Sequence, residues 1–287
     1  WMQLHERARG FASHLIRSGV ERGDKVCIVG STRPEWAIAD LGGQLAGAIT
    51  LGAYPTLTAD QLAYILDHAD VKIVVVEGEA DLAKVLAKRD ALPKLEQIIL
   101  WDGEATGVVR WDRTIEGAID DHAIADRVAL TSLEDTAIIV YTSGTTGPPK
   151  GAMISHRNIL TVLRNQAQQA VFDADDVTFS FLPMAHVAER VLGFYGRIDS
   201  GMTCYYATSI PKVLEEVKEA KPTVFGSVPR IVEQAYPVTQ SGLEKAELPR
   251  QKIYHCAEHT TRVHAQRCQP RKGVQHQHRK NHPGGEK

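Results

Sequence analysis

The chain has 287 residues, 43% of them hydrophobic and 24% charged, with a formal net charge of −2. That is the composition of a soluble globular protein, long enough for one large domain or two ordinary ones. The near-neutral balance argues against a nucleic-acid binder, and no apolar run approaches the ~18 residues a membrane span requires. Four scattered cysteines, Cys27, Cys204, Cys256 and Cys268, form no disulfide framework and suit the reducing cytosol. The opening Trp1-Met2-Gln3-Leu4 has the look of neither a signal peptide nor an initiation site, so the natural N-terminus is expected upstream.

Leu4, Ala8, Phe11, Ala12, Leu15 and Ile16 fall at helical spacing, and Gly19 stands where a C-terminal cap is expected. Residues 25–30 predict a buried parallel strand. Pro34 then favours the first turn of a helix carrying Glu35, Trp36, Ile38 and Leu41. A strand over 49–53 ends at Tyr54-Pro55, and Thr58 caps a helix bearing Leu62, Ile65 and Leu66. A strand over 72–77, a helix over about 80–89 and a strand over 97–101 follow. Strand and helix alternating this regularly predict an α/β protein with doubly wound, mostly parallel sheets flanked by helices. Segment 103–133, with scattered Gly, Asp and Arg, reads as a loop and one short helix.

The informative stretch comes next. The apolar run Ala137-Ile138-Ile139-Val140 predicts a buried strand leading into Tyr141-Thr142-Ser143-Gly144-Thr145-Thr146-Gly147-Pro148-Pro149-Lys150-Gly151. Gly144 and Gly147 permit positive φ, so successive backbone N–H groups can converge on an anion. Thr142, Ser143, Thr145 and Thr146 add hydroxyls, and Lys150 adds positive charge. The ATPase phosphate loop requires glycine just before its lysine and a hydroxyl just after it. Pro149 and Gly151 stand there instead, so that reading fails. Ser155 is a plausible cap for a helix from His156 to about Ala170.

A strand over 177–182 ends in Leu182-Pro183-Met184-Ala185-His186-Val187-Ala188-Glu189-Arg190. His186 thereby falls just beyond a strand's C-terminal end, where doubly wound sheets bind ligands. Imidazole there can hydrogen-bond a carboxylate or the oxyanion that develops on it, although a capping or packing histidine has the same pattern. A strand over 202–206, a helix over 212–220 and a strand over 223–228 complete the regular region. The strands near Ala137, Val177, Met202 and Thr223 are expected to share one large twisted sheet.

The segment around Lys150 resembles, over its whole length, the signature loop of the adenylate-forming (AMP-binding) superfamily. Ser31-Thr32-Arg33-Pro34-Glu35-Trp36, Tyr54-Pro55-Thr56-Leu57-Thr58 and the nonapeptide ending in Glu189-Arg190 are similar to segments of long-chain acyl-CoA synthetases. Val228-Pro229-Arg230-Ile231 resembles that family's wall of the acyl site, but Val232 stands where tryptophan is common, leaving chain-length preference open. The resemblance implies ATP-dependent activation of a long-chain fatty acid, with Mg2+ and coenzyme A as further participants. It implies that residues 142–147 wrap the β- and γ-phosphates, that Lys150 offsets their charge, that Thr145 helps coordinate Mg2+, and that His186 faces the acyl carboxylate. An amino-acid or aryl-acid adenylating domain and a non-catalytic nucleotide-binding fragment are the alternatives. An amino-acid enzyme would be expected to place an aspartate near Ala185-His186-Val187-Ala188-Glu189.

The resemblance covers about 1–252, read as a partial AMP-binding domain; 253–287 is a divergent basic and polar tail. Such a tail cannot offset its conformational entropy by burial, so disorder is expected. Cys256, His259, His264 and Cys268 are too closely paired for the usual zinc-finger loop. The basic run 271–280 lacks the interleaved aromatics of a nucleic-acid site, while contact with anionic lipid stays open. The family's later acidic residue, ribose-binding aspartate and C-terminal lysine have no counterpart here, so the chain is expected to be an inactive fragment of a cytoplasmic, in part membrane-associated, enzyme.

Overall fold

The computed structural model describes residues 1–142, 147–169 and 172–227, together with Glu233, Tyr236 and Pro237. The account below concerns the unit Trp1–Gly226. Its elements begin with α1 (Met2–Arg17), β1 (Lys25–Val29), α2 (Pro34–Leu45), β2 (Ile49–Ala53), α3 (Ala59–His68), β3 (Val71–Val76), α4 (Glu79–Leu86) and β4 (Gln97–Leu100). Then come β5 (Val109–Arg110), α5 (Trp111–Ile115), α6 (Asp121–Ala129), β6 (Thr136–Thr142), β7 (Lys150–Ser155), α7 (His156–Gln169) and β8 (Val177–Ser180). A π-helix (Ala188–Tyr195), α8 (Gly196–Ser200), β9 (Thr203–Tyr206) and α9 (Val213–Ala220) follow.

Local chemistry accounts for most boundaries. Gly19, at φ +81°, takes the left-handed turn after α1, which side chains with a Cβ resist. Pro34 occupies the first turn of α2, where its missing N–H costs nothing. Thr58 and Gln61 form a reciprocal capping box at α3. Ser155 and Asn158 do the same at α7: Ser155 N–H donates to Asn158 Oδ1 at 3.0 Å, and Asn158 N–H to Ser155 Oγ at 3.2 Å.

Seven strands form one sheet in the order β5-β4-β3-β1-β2-β6-β7, parallel throughout except for β7, which runs antiparallel to β6. Alternate residues of the central strands enter opposite cores. Val26, Ile28, Ile73 and Val75 pack with Phe11, Leu15, Trp36 and Ile38 of α1 and α2. Cys27, Val29, Val74 and Val76 pack with Leu62, Leu66, Leu82 and Val85 of α3 and α4. Burial on both faces explains why these strands read as continuous apolar runs. It makes the sheet doubly wound, with helices on both sides, as the alternation implies.

Two expectations need correction. Segment 103–133 holds two helices, α5 and α6, and the short strand β5, where one short helix was expected. Few of its side chains are buried, Trp111, Thr114 and Ile124 among them, so it carries little hydrophobic periodicity. The strands from Ala137 onward do not share one sheet. β6 belongs to the seven-stranded sheet, whereas β8 and β9 pair with each other in a second, parallel sheet. Val224 joins β8 through a single bridge to Thr178. Apolar runs reveal strands, but they carry no information about which sheet a strand enters.

Candidate active site

Because β1, β2, β3 and β6 are parallel, their C-terminal ends open on one edge of the sheet. Ser31, Tyr54, Glu77 and Thr142 follow or end those strands. The Lys150 segment is a hairpin at this edge. β6 and β7 pair residue by residue from Ile138↔Ile154 to Thr142↔Lys150. Thr142 and Lys150 therefore face each other where the ladder opens, and both are exposed. Gly147 has φ +96°, and among the described residues a Cβ built on it would meet nothing within 4 Å. That is the left-handed backbone, with open space before it, that an anion-wrapping loop requires. Lys150 has no ion-pair partner among the described residues, so its charge remains available. Ser143, Gly144, Thr145 and Thr146 lie outside the described residues.

Neighbouring side chains fix both ends of the hairpin. Tyr64 Oη donates to the carbonyl of Pro149 at 3.1 Å. Tyr141 Oη lies 2.7 Å from Nδ1 of His68. Burial first, and the nearby Tyr64 second, push the Tyr141 phenol up to about 12. It therefore keeps its proton and shares a hydrogen bond with the imidazole.

The second half of the site is the loop after β8. His186 is exposed, and its Nδ1 accepts from the N–H of Ala188 at 3.1 Å. With Nδ1 accepting, Nε2 is the ring's donor, and among the described residues it meets no hydrogen-bond partner. The loop is seated on the first sheet by Thr32. Thr32 Oγ1 donates to the carbonyl of Leu182 at 2.6 Å and accepts from the N–H of Met184 at 3.2 Å. The segment 31–36 thus starts α2 and also holds the histidine loop.

Beneath His186 lies a buried polar cluster. Asp40 of α2, Thr50 of β2, and Arg190 and Tyr195 of the π-helix are all buried. Arg190 pairs with Asp40, which also accepts from Thr50 Oγ1 and Tyr195 Oη, each at 2.6 Å. Burial alone lowers the hold of Arg190 on its proton, but Asp40 more than restores it, so the guanidinium stays charged. Its carbon lies 5.0 Å from the ring centroid of Trp36, a cation–π contact. A second buried pair, Glu189 with Arg197, is completed by Ser180, whose hydroxyl donates to Glu189 at 2.6 Å. Glu189 and Arg190 therefore anchor the π-helix, and the N–H of Arg190 donates to the carbonyl of His186 at 3.0 Å.

Gly52 brings the two halves together. It is the register partner of Val140, two residues before Thr142. A Cβ on Gly52 would lie 2.7 Å from Cα of Ala185, the residue before His186. The histidine loop thus rests on the strand beside the hairpin. Among the described residues no hydrogen bond joins His186 to Thr142 or Lys150.

Thr32, Asp40, Gly52, Tyr64, His68, Tyr141 and Tyr195 were not singled out as site residues from the sequence. Thr32 and Tyr141 lay within segments that carried the resemblance, and Asp40 stood out only as an acidic residue following the apolar run Trp36-Ala37-Ile38-Ala39. The acyl-wall residues 228–232, the four Cys/His residues after 255 and the basic run lie outside the described residues. Among the described residues, no three His, Cys, Asp or Glu side chains come together in a way that could hold a metal.

The chain is similar to known proteins in both sequence and fold. Residues 1–280 match the sequence profile of the family described as AMP-binding enzyme. The human long-chain-fatty-acid–CoA ligase ACSBG2 is 32% identical over 254 residues, covering 85% of this chain and 38% of that protein. The long-chain-fatty-acid–CoA ligase FadD15 of Mycobacterium tuberculosis is 29% identical over 242 residues, covering 83% of this chain and 40% of its own length. The chain thus spans about two fifths of the length of these relatives. Among solved structures, the AMP-bound A-PCP didomain of carboxylic acid reductase from Segniliparus rugosus superposes with TM-score 0.69 at 27% identity, over 85% of this chain and 38% of that one. A luciferase-like enzyme from the mealworm Zophobas morio gives TM-score 0.71 at 23% identity, over 85% of this chain and 56% of that one, a likeness of fold.

Proposed function

Because this chain belongs to the AMP-binding enzyme family, we propose that its hairpin holds the phosphates of ATP and that the protein activates a long-chain fatty acid for transfer to coenzyme A. The observation that carries this reading is an exposed Lys150 lacking an ion-pair partner among the described residues, held across from Thr142 beside a left-handed, unobstructed Gly147. Such a site suits phosphate oxygens and has little other use for its charge. The relatives named long-chain-fatty-acid–CoA ligases support the choice of acid.

In the first half-reaction a carboxylate oxygen attacks the α-phosphorus and the bond to pyrophosphate breaks, leaving an acyl-adenylate. In the second, the thiol of coenzyme A gives up its proton, sulfur attacks the acyl carbon, and AMP leaves. Neither step takes a nucleophile from the protein; positioning and charge stabilisation supply the rate. Thr142, Ser143, Gly144, Thr145, Thr146 and Gly147 wrap the β- and γ-phosphates, and Lys150 offsets their charge. The Thr145 hydroxyl would help hold Mg2+ bound with the nucleotide, which would supply further neutralisation of the phosphate charge. His186 offers Nε2–H to the acyl carboxylate as it approaches the α-phosphate. The substrate is itself a lipid, which favours a cytoplasmic protein in peripheral contact with a membrane. Among the described residues no helix is long and apolar enough to cross one.

The test is Lys150→Ala in a complete version of this enzyme. Losing one charge-assisted contact of about 1.5–3 kcal/mol should slow fatty-acid-dependent pyrophosphate release by roughly ten- to hundredfold, with the fold intact by circular dichroism. Unchanged release would remove Lys150 from the site.

A further inference from the structure

The hairpin's two ends are both held by one helix that belongs to neither strand. Helix α3 buries Leu62, Ile65 and Leu66 against the sheet. Its neighbouring stripe carries Tyr64 and His68, four residues apart and so one above the other. Their rings stack with centroids 5.3 Å apart and 28° between planes. From this stack Tyr64 reaches forward to the carbonyl of Pro149, the residue before Lys150. His68 Nδ1 shares a hydrogen bond with the hydroxyl of Tyr141, the residue before Thr142, and meets its ring edge-on at 5.8 Å. Each contact falls one residue from a group assigned to phosphate binding, one on each strand.

We propose that Tyr64 and His68 form a clamp that sets the spacing and orientation of Thr142 and Lys150, making them positioning residues for the nucleotide phosphates. The proposal rests on the reading of the hairpin as the ATP-phosphate loop. Two features argue for positioning over simple packing. The side chains that stabilise α3 are Leu62, Ile65 and Leu66, already buried, whereas His68 is exposed and adds little to any core. Tyr64 also spends its hydroxyl on a carbonyl of the hairpin, outside its own helix. The carbonyl of Pro149 belongs to the peptide unit that supplies the N–H of Lys150, so holding that oxygen fixes the plane from which the lysine departs. Helix α3 is itself well fixed for the task, by its capping box and by an ion pair from Asp60 to Lys88 at 2.5 Å.

The test uses Tyr64→Phe and Tyr141→Phe, which keep both rings and delete one hydroxyl each. Hydrogen exchange read by mass spectrometry reports the clamp without nucleotide, and titration with MgATP reports its consequence. We expect faster exchange at the amides of Thr142, Gly147, Lys150 and Gly151, with an unchanged denaturation midpoint, and MgATP affinity about three- to tenfold weaker, as loss of one neutral hydrogen bond gives. Unchanged exchange at those four amides would overturn the clamp. So would a lowered midpoint with exchange raised evenly along α3 and β6, which marks a purely structural role. Faster hairpin exchange in a protein that binds no MgATP even unsubstituted would confirm the mechanical clamp, overturn its nucleotide role, and locate the failure in the phosphate-loop reading.

Discussion

At Gly52 a single hydrogen in place of a methyl group decides how closely the histidine loop approaches the sheet. An added Cβ would lie 2.7 Å from Cα of Ala185 and 2.9 Å from the ring carbon Cζ2 of Trp36. Neither neighbour is the loose end of a flexible chain: one is backbone and the other belongs to a fully buried ring. Gly52→Ala must therefore push Ala185 away and carry His186 with it. Overpacking of this kind costs about 1–3 kcal/mol, and a misplaced catalytic group costs more in rate than in stability. In a complete enzyme carrying these residues we expect fatty-acid-dependent adenylate formation to fall by about tenfold or more, while MgATP affinity, proposed above to be set at the hairpin, changes little. Stopped-flow pyrophosphate release beside an ATP titration separates the two. Equal activity in the variant would show that the loop does not need its close seat on β2.

The π-helix is held by buried charge. It joins α2 and β2 through Arg190, Asp40, Thr50 and Tyr195, all buried. Removing one member of a buried pair leaves the other charge uncompensated, at a cost of about 3–5 kcal/mol. Asp40→Ala should lower the unfolding free energy by that order in a urea titration. Asp40→Ala with Arg190→Met should recover much of it, because an apolar pair leaves no orphan charge. A single Asp40→Ala variant within about 1 kcal/mol of the parent would contradict the assignment.

The same element shows where sequence reasoning reaches and where it stops. Strands β1 to β4 and helices α1 to α4 were legible because burial on both faces leaves unbroken apolar runs, and because Thr58, Pro34 and Gly19 mark boundaries by fixed chemistry. The motif around His186 was legible by resemblance, but its supports were not. Thr32, Asp40 and Gly52 lie more than a hundred residues upstream, and no local pattern pairs them with residues 182–190. Segment 103–133 was misread because α5 and α6 bury only a few side chains each, so Gly and Asp outweighed the periodicity. For the hairpin, residues on both strands could be named from composition. The clamp from α3 could not, since it depends on which helix the topology lays beside β6.

At the scale of the molecule, the two sheets place the hairpin and the histidine loop on one side of the structure through β2. The seven-stranded sheet ends at β7, whose outer edge meets no further strand among the described residues. Met153 is 67% exposed on that strand. A lysine with no ion-pair partner among the described residues, a left-handed glycine and the imidazole of His186 suit phosphate and carboxylate chemistry. The assignment of a long-chain acid rests on kinship with the ligases and on Ala185-His186-Val187-Ala188-Glu189, which offers no aspartate beside the histidine to receive an ammonium group. The most direct test is ATP–pyrophosphate exchange by a complete enzyme that carries these residues, with palmitate in one reaction and a mixture of amino acids in the other. The account expects exchange that depends on palmitate and none with amino acids; exchange driven by amino acids, with none on palmitate, would contradict it.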